Sequence, residues 1–295
     1  MGHKKLKKFA ENETFKCLLQ PSAEELLADG YFNLRDHEIK GRWNELMFEK
    51  DQPIILELGC GKGEYTIDLA RRNPQFNYIG VDIKGARLWK GAKYASENAL
   101  GNVAFLRTRI EFITAFFAEN EISGIWLTFS DPQMRSENSR LTSPLFLERY
   151  RSFLKAGGVV HLKTDSRFLY EYSHAVAVQN GLEIIASTTD LYATPPGELT
   201  LESGQEGRLS EDELNALYEV QTFYEKLFLE QGYSITYLAF VIDHEGRFEH
   251  PEGFDEEYWR SVEGPRSIFG HDTAETRRQK LATKEKQGNY AESKK

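Results

Sequence analysis

Between about residues 53 and 188, short runs of consecutive apolar residues alternate with longer amphipathic stretches. That alternation predicts parallel strands joined by crossover helices, an α/β fold. The expected strands are Ile54–Leu58, Tyr78–Asp82, Val103–Arg107, Ile125–Phe129, Val159–Lys163 and Glu183–Ser187. Helical periodicity or composition marks Glu64–Arg72, Ala86–Ala99, Pro144–Leu154 and Phe168–Asn180, the last closed by Gly181 as a C-cap. A final helix is expected over Glu211–Gln231, opened by Ser210 with Glu213 three residues on, and stopped at Gly232. It leads into a long apolar strand, Tyr233–Ile242, the seventh.

Two segments break the pattern. Residues 193–213 are rich in Pro, Gly and acids, which predicts a mobile loop. The tail after Asp243 is acidic up to Glu263 and basic beyond it. The expected organisation is therefore a basic arm with lead-in helices over residues 1–50, a catalytic-type α/β domain over 51–242, and a charged extension over 243–295.

Composition narrows the function classes. Aromatic residues make up 13% of the 295, and with regular apolar runs they supply a core, which excludes a disordered polyanion. The formal net charge of −9 excludes a chain that is basic all over, so nucleic-acid contacts must come from local patches. Cys17 and Cys60 do not suggest an exported disulfide scaffold, because Cys60 sits inside a glycine-rich loop. The first residues carry lysines with no apolar segment behind them, unlike a secretion signal, and no run reaches the ~18 apolar residues of a spanning helix. A cytoplasmic protein without membrane or metal partners is expected, as a monomer or homodimer.

The sharpest motif is Ile54-Ile55-Leu56-Glu57-Leu58-Gly59-Cys60-Gly61-Lys62-Gly63-Glu64. A strand runs into glycines at alternate positions and then into a helix, so the backbone can turn tightly and approach a ligand. Nineteen residues beyond Gly63, the next strand ends in Asp82, placed to accept hydrogen bonds from ribose hydroxyls. The spacing lacks the more distant third glycine of the dinucleotide fingerprint, and Glu57 would oppose a pyrophosphate. An adenosine ligand bearing an amino group and a positive sulfonium suits it: S-adenosylmethionine.

A buried strand, Ile125-Trp126-Leu127-Thr128-Phe129, then exits through Ser130-Asp131-Pro132. Proline fixes that exit and biases Asp131 towards an extended conformation at the ligand edge of the sheet. A third acid, Asp165, follows the next strand at the same edge, the repetition that a ligand crevice predicts.

With these residues the sequence resembles the bacterial tRNA (guanine-N7)-methyltransferase family. The resemblance is carried by Lys5-Leu6-Lys7-Lys8-Phe9-Ala10, the glycine motif, Ile79–Arg87, Phe129-Ser130-Asp131-Pro132, Lys163-Thr164-Asp165 and Thr222-Phe223-Tyr224-Glu225, and spans roughly residues 1–242. It implies a Rossmann-like class I methyltransferase fold, a mostly parallel seven-stranded sheet with helices on both faces. It also implies S-adenosylmethionine at Glu57, Gly59, Gly61, Gly63, Asp82 and Arg109, a catalytic Asp131, and tRNA contacts at Arg135, Asp165, Thr222 and Glu225. Within a helix, the i, i+3 spacing of Thr222 and Glu225 puts both on one face.

The sequence departs from that family in two places. Where the family has a tryptophan and a dense basic run after Asp-Pro, only Arg135 and Arg140 are basic here, and Arg109 replaces an acid near the adenine. The implied reaction is methyl transfer to N7 of a tRNA guanosine in the variable loop. The alternative is a non-catalytic or partner-dependent RNA binder that has kept the fold.

Overall fold

The computed structural model describes residues 3–27, 33–199, 209 and 211–263. The chain forms one compact unit through Phe254 and a second from Asp255. In the first unit, strands β1 (Leu18–Leu19), β2 (Ile54–Leu58), β3 (Asn77–Asp82), β4 (Val103–Arg107), β5 (Ile122–Thr128), β6 (Leu154–Thr164), β7 (Ile184–Thr188) and β8 (Thr236–Val241) build one sheet in the order β1-β4-β3-β2-β5-β6-β8-β7. Only β8 runs against its neighbours, pairing antiparallel with β6 and β7. The winding direction reverses between β2 and β5, and in open α/β sheets a ligand crevice forms at the C-terminal ends of the strands flanking such a switch point.

The sheet's two faces differ in chemistry. Leu56, Leu58, Ile79, Val81, Ala104, Leu106, Ile125, Leu127, Val160 and Leu162 alternate onto one face and are fully buried in the main core. The opposite face carries a row set by register, in which Glu57 lies beside Gly80 and Trp126, and Trp126 beside His161. The His161 ring stacks on Trp126 at 4.1 Å, and its Nδ1 meets the Tyr237 hydroxyl at 2.8 Å. Burial pulls His161 down to about 4, which keeps its ring neutral between Trp126 and Tyr237.

The crossover helices appear where periodicity predicted them: α4 (Glu64–Arg72), α5 (Gly85–Glu97), α6 (Pro144–Arg151) and α7 (Arg167–Gln179), following α1 (His3–Asn12) and the short α2 (Ala23–Leu26) and α3 (Trp43–Leu46). α1 is tied to α5 by Asn12, whose side-chain amide donates to the Gly85 carbonyl at 2.9 Å, and by the Trp89 indole donating to Glu11 at 2.6 Å.

Three expectations change. The sheet has an eighth strand, because β1 adds itself beside β4 through a tertiary contact, the Phe105 amide donating to the Cys17 carbonyl at 2.6 Å; two residues show no periodicity to read. The single helix expected over Glu211–Gln231 is two, α8 (Glu211–Glu219) and α9 (Phe223–Glu230), with Thr222 extended at φ −68°, ψ 162° as the cap of α9. Ser210, expected as the cap of α8, lies outside the described residues, as does the basic part of the tail. The expected loop 193–213 includes a 3₁₀ turn at Pro196–Glu198 followed by buried Leu199, with 200–208 also outside the described residues.

Residues 243–254 pack within the first unit. Phe248 is buried, Phe254 meets Tyr172 edge to face at 5.6 Å, and the Glu249 amide donates to the Asn180 side chain at 2.7 Å. The second unit is described through α10 (Glu256–Glu263). Among the described residues no helix is long and apolar enough to cross a membrane.

Candidate active site

At the end of β2 the chain turns through Gly59, Gly61 and Gly63 with φ of 81°, 58° and 71°, the left-handed region that side chains disfavour. The three glycines differ in what surrounds them. A Cβ on Gly59 would meet nothing within 4 Å, so the bare backbone there borders open space. A Cβ on Gly63 would come within 2.5 Å of the Phe105 ring, so the third glycine is required by packing of the loop on β4.

The two acids flanking this loop are engaged from below. Asp82 accepts from the Gly61 amide at 3.0 Å and from the Lys84 amide at 2.6 Å, and thereby sets the loop's shape. Glu57 is buried and accepts from the Thr66 amide at 2.8 Å and from the Thr66 and Thr128 hydroxyls. Desolvation outweighs these bonds and pushes its carboxyl up to about 7. Open backbone at Gly59 and two acidic side chains at adjacent strand ends, which accept rather than donate, fit S-adenosylmethionine, with its ribose hydroxyls and sulfonium. Arg109 stands exposed just past β4, 3.3 Å from Glu111 and over the Phe112 ring.

The turn after β5 is strained and shaped by its own acid. Phe129 and Gln133 adopt φ of 51° and 47°, unfavourable for non-glycine residues. The Phe129 amide donates to the Lys163 carbonyl at 2.9 Å, and its ring stacks on Phe228 of α9 at 6.2 Å. Asp131 is exposed, and one carboxylate oxygen accepts from the Gln133 amide at 2.9 Å. Of the two loop arginines, only Arg135 is exposed. Arg140 is fully buried, its guanidinium 4.3 Å from the centre of the Tyr172 ring and 4.7 Å from that of Phe168, so it braces the core and reaches no RNA.

The substrate half of the expected site is built differently from a helix face. Thr222 and Glu225 form a capping box: Thr222 Oγ1 accepts from the Glu225 amide at 3.2 Å, and the Glu225 carboxylate accepts from the Thr222 amide at 3.3 Å. Glu225, expected as a substrate contact, is fully buried, where it also receives Lys163 Nζ and the Tyr192 hydroxyl. The cap of α9 is also bound to the glycine loop, since the Phe223 amide donates to Glu64 at 3.1 Å and Lys62 lies 4.8 Å from the centre of the Phe223 ring. Asp165 follows β6 directly, one residue ahead of Ser166, the cap of α7. Asp131 thus leaves the strand beside β6, Asp165 follows β6 itself, and the Thr222 cap is tied through Glu225 to Lys163 near the end of β6. Arg109 follows β4, on the other side of β3 and β2.

Residues 51–232 match a family model described as "Putative methyltransferase". A relative from Christiangramia forsetii, named tRNA (guanine-N(7)-)-methyltransferase, is 48% identical over 82% of this chain and 100% of its own. One of the same name from Bacteroides fragilis is 43% identical over 85% of this chain and 91% of its own. The chain belongs to the tRNA (guanine-N(7)-)-methyltransferase family. Among solved structures, the 16S rRNA methyltransferase KamB aligns with a TM-score of 0.47 and 13% identity over 70% of this chain and 94% of that one.

In this member of the family, Glu64 and Lys163 lie within the quoted motifs but were assigned no role from sequence; the structure ties both to the α9 cap, Glu64 through the Phe223 amide and Lys163 through Glu225. A signal for Lys163 was present: His161 and Lys163 are polar residues on one face of an otherwise apolar strand, a placement that demands buried partners. Among the described residues no cluster of His, Cys, Asp or Glu could hold a metal ion.

Proposed function

We propose that this protein transfers the methyl group of S-adenosylmethionine to N7 of a guanosine in tRNA, in the variable loop. One observation carries the reading: in a chain 48% identical to a protein named for that reaction, Asp131 stands exposed at the crevice edge, its turn held by Gln133 and by the end of β6. S-adenosylmethionine, when bound, supplies an electrophilic methyl on a sulfonium.

Guanine N7 carries a lone pair in the ring plane and no proton, so the chain need not provide a general base. What it must provide is placement and a field that tolerates positive charge moving onto the purine. Glu57, Gly59, Gly61, Gly63 and Asp82 hold the cofactor, and Arg109 flanks its adenine side. Asp131 accepts hydrogen bonds from the guanine edge and faces the ring as it becomes cationic. Asp165 and Thr222 hold the unstacked nucleoside, with Glu225 presenting Thr222 from below, and Arg135 binds phosphate.

The test is incubation with S-adenosylmethionine and unmodified tRNA, followed by digestion, nucleoside mass spectrometry and mapping of the methylated position. Formation of 7-methylguanosine in the variable loop is expected. A different methylated base would overturn the reaction, and cofactor binding with no methyl transfer would favour the non-catalytic RNA binder.

A further inference from the structure

Lys163 is buried completely on the polar face of β6, and its ammonium has three acceptors: Glu225 Oε1 at 2.7 Å, the Leu217 carbonyl at 2.7 Å and the Val220 carbonyl at 3.1 Å. These match its three donors. Leu217 lies in the last turn of α8 and Val220 in the break before α9, where carbonyls lose their helical partners. Glu225 is the residue that closes the cap on Thr222. The same lysine's carbonyl accepts the Phe129 amide, two residues before Asp131, and two residues after it comes Asp165.

One residue therefore touches every element of the substrate half: its backbone holds the Asp131 turn, its ammonium holds the Thr222 cap, and the chain leaving it carries Asp165. We infer that Lys163 is the positioning residue that sets Thr222 against Asp131 and Asp165, acting through the carboxylate of Glu225. An apolar residue would pack a buried strand at less desolvation cost, and burial does pull the Lys163 ammonium below the ordinary lysine range against the opposing pull of Glu225. The cation gives direction instead: three fixed acceptors leave α8 and α9 a single seat. The inference rests on the proposed reaction and on Thr222 meeting the guanosine.

The experiment is a double-mutant cycle on full-length protein, reading kcat and KM for unmodified tRNA and the affinity for S-adenosylmethionine. Lys163→Met and Glu225→Gln are each expected to lower kcat/KM for tRNA about 100-fold, the scale of a misplaced reacting group, with cofactor affinity within about threefold. The double variant is expected to fall no further than either single. Where Lys163→Met fails to fold because it strands a buried carboxylate, the double variant carries no such charge, and its comparison with Glu225→Gln alone decides. Losses that multiply, a folded Lys163→Met with wild-type kinetics, or a parallel collapse of cofactor affinity would overturn the inference. Wild-type protein that makes no 7-methylguanosine would instead sink the proposed function, and this inference with it.

Discussion

The Thr66 amide, in the first turns of α4, donates to the buried carboxylate of Glu57 across the glycine loop at 2.8 Å. This bond anchors the helix that follows the loop to the strand that precedes it. The same burial gives Glu57 a titration that reports on the fold, and His161 in the same row has the opposite one.

Glu57 is raised from 4.5 to about 7, so its contribution to stability is full at low pH and is lost as pH rises through about 7. His161 is lowered from 6.5 to about 4, so its contribution is present above 6.5 and is lost as pH falls through about 4. Each effect is on the order of 3 kcal/mol, and between about pH 4.5 and 6.5 they oppose one another. In Glu57→Gln the side-chain oxygen can take the Thr66 donors while its amide donates to the Thr128 hydroxyl, and denaturation midpoints are expected to rise with pH more steeply than in wild type. In His161→Phe, which keeps a ring against Trp126, they are expected to fall relative to wild type over the same window. Urea titrations at four or five pH values check both signs, and parallel curves for all three proteins would refute them.

The first and third glycines of the loop separate ligand approach from packing. Gly59→Ala places a Cβ in open space and suffers only the left-handed backbone, a cost of about 1–2 kcal/mol, while obstructing the cofactor's approach. Gly63→Ala suffers the same strain plus a collision with Phe105, which adds roughly 1–3 kcal/mol. Chemical denaturation should rank Gly63→Ala as the less stable variant, and calorimetric titration should show Gly59→Ala, still folded, with the cofactor affinity most reduced for its stability.

Asp131→Asn keeps the oxygen that receives the Gln133 amide and so preserves the turn, while removing the negative charge. A fall of about 100- to 1,000-fold in the single-turnover rate is expected, with cofactor affinity unchanged. Equal losses in rate and in cofactor binding would contradict the role assigned to this residue.

The two loop arginines should part company in a salt titration. Arg135→Ala is expected to reduce the slope of log K for tRNA against log salt by about one, the signature of one lost phosphate contact. Arg140→Ala should leave that slope alone and lower protein stability by about 1–3 kcal/mol, because it removes a guanidinium packed between the Tyr172 and Phe168 rings. Fluorescence anisotropy at four salt concentrations, with a melting curve for each variant, distinguishes them.

Local chemistry made much of this protein legible in the sequence. Alternating glycines after Leu58 and an acid ending the next strand specify a turn and a carboxylate whatever surrounds them, because backbone φ and strand direction are set within a few residues. Apolar runs marked seven strands, because a strand buried on both faces leaves a continuous signature. Tertiary structure alone decided the rest. A helix pattern runs unbroken through Val220–Thr222, and the break there is stabilised by an ammonium that arrives from 57 positions earlier in the chain. Arg140 reads as a basic loop residue until the rings of α7 enclose it, and β1 exists only because Phe105 lends it a backbone donor. Each of these outcomes depends on a partner distant in sequence, and periodicity carries no record of where such partners meet.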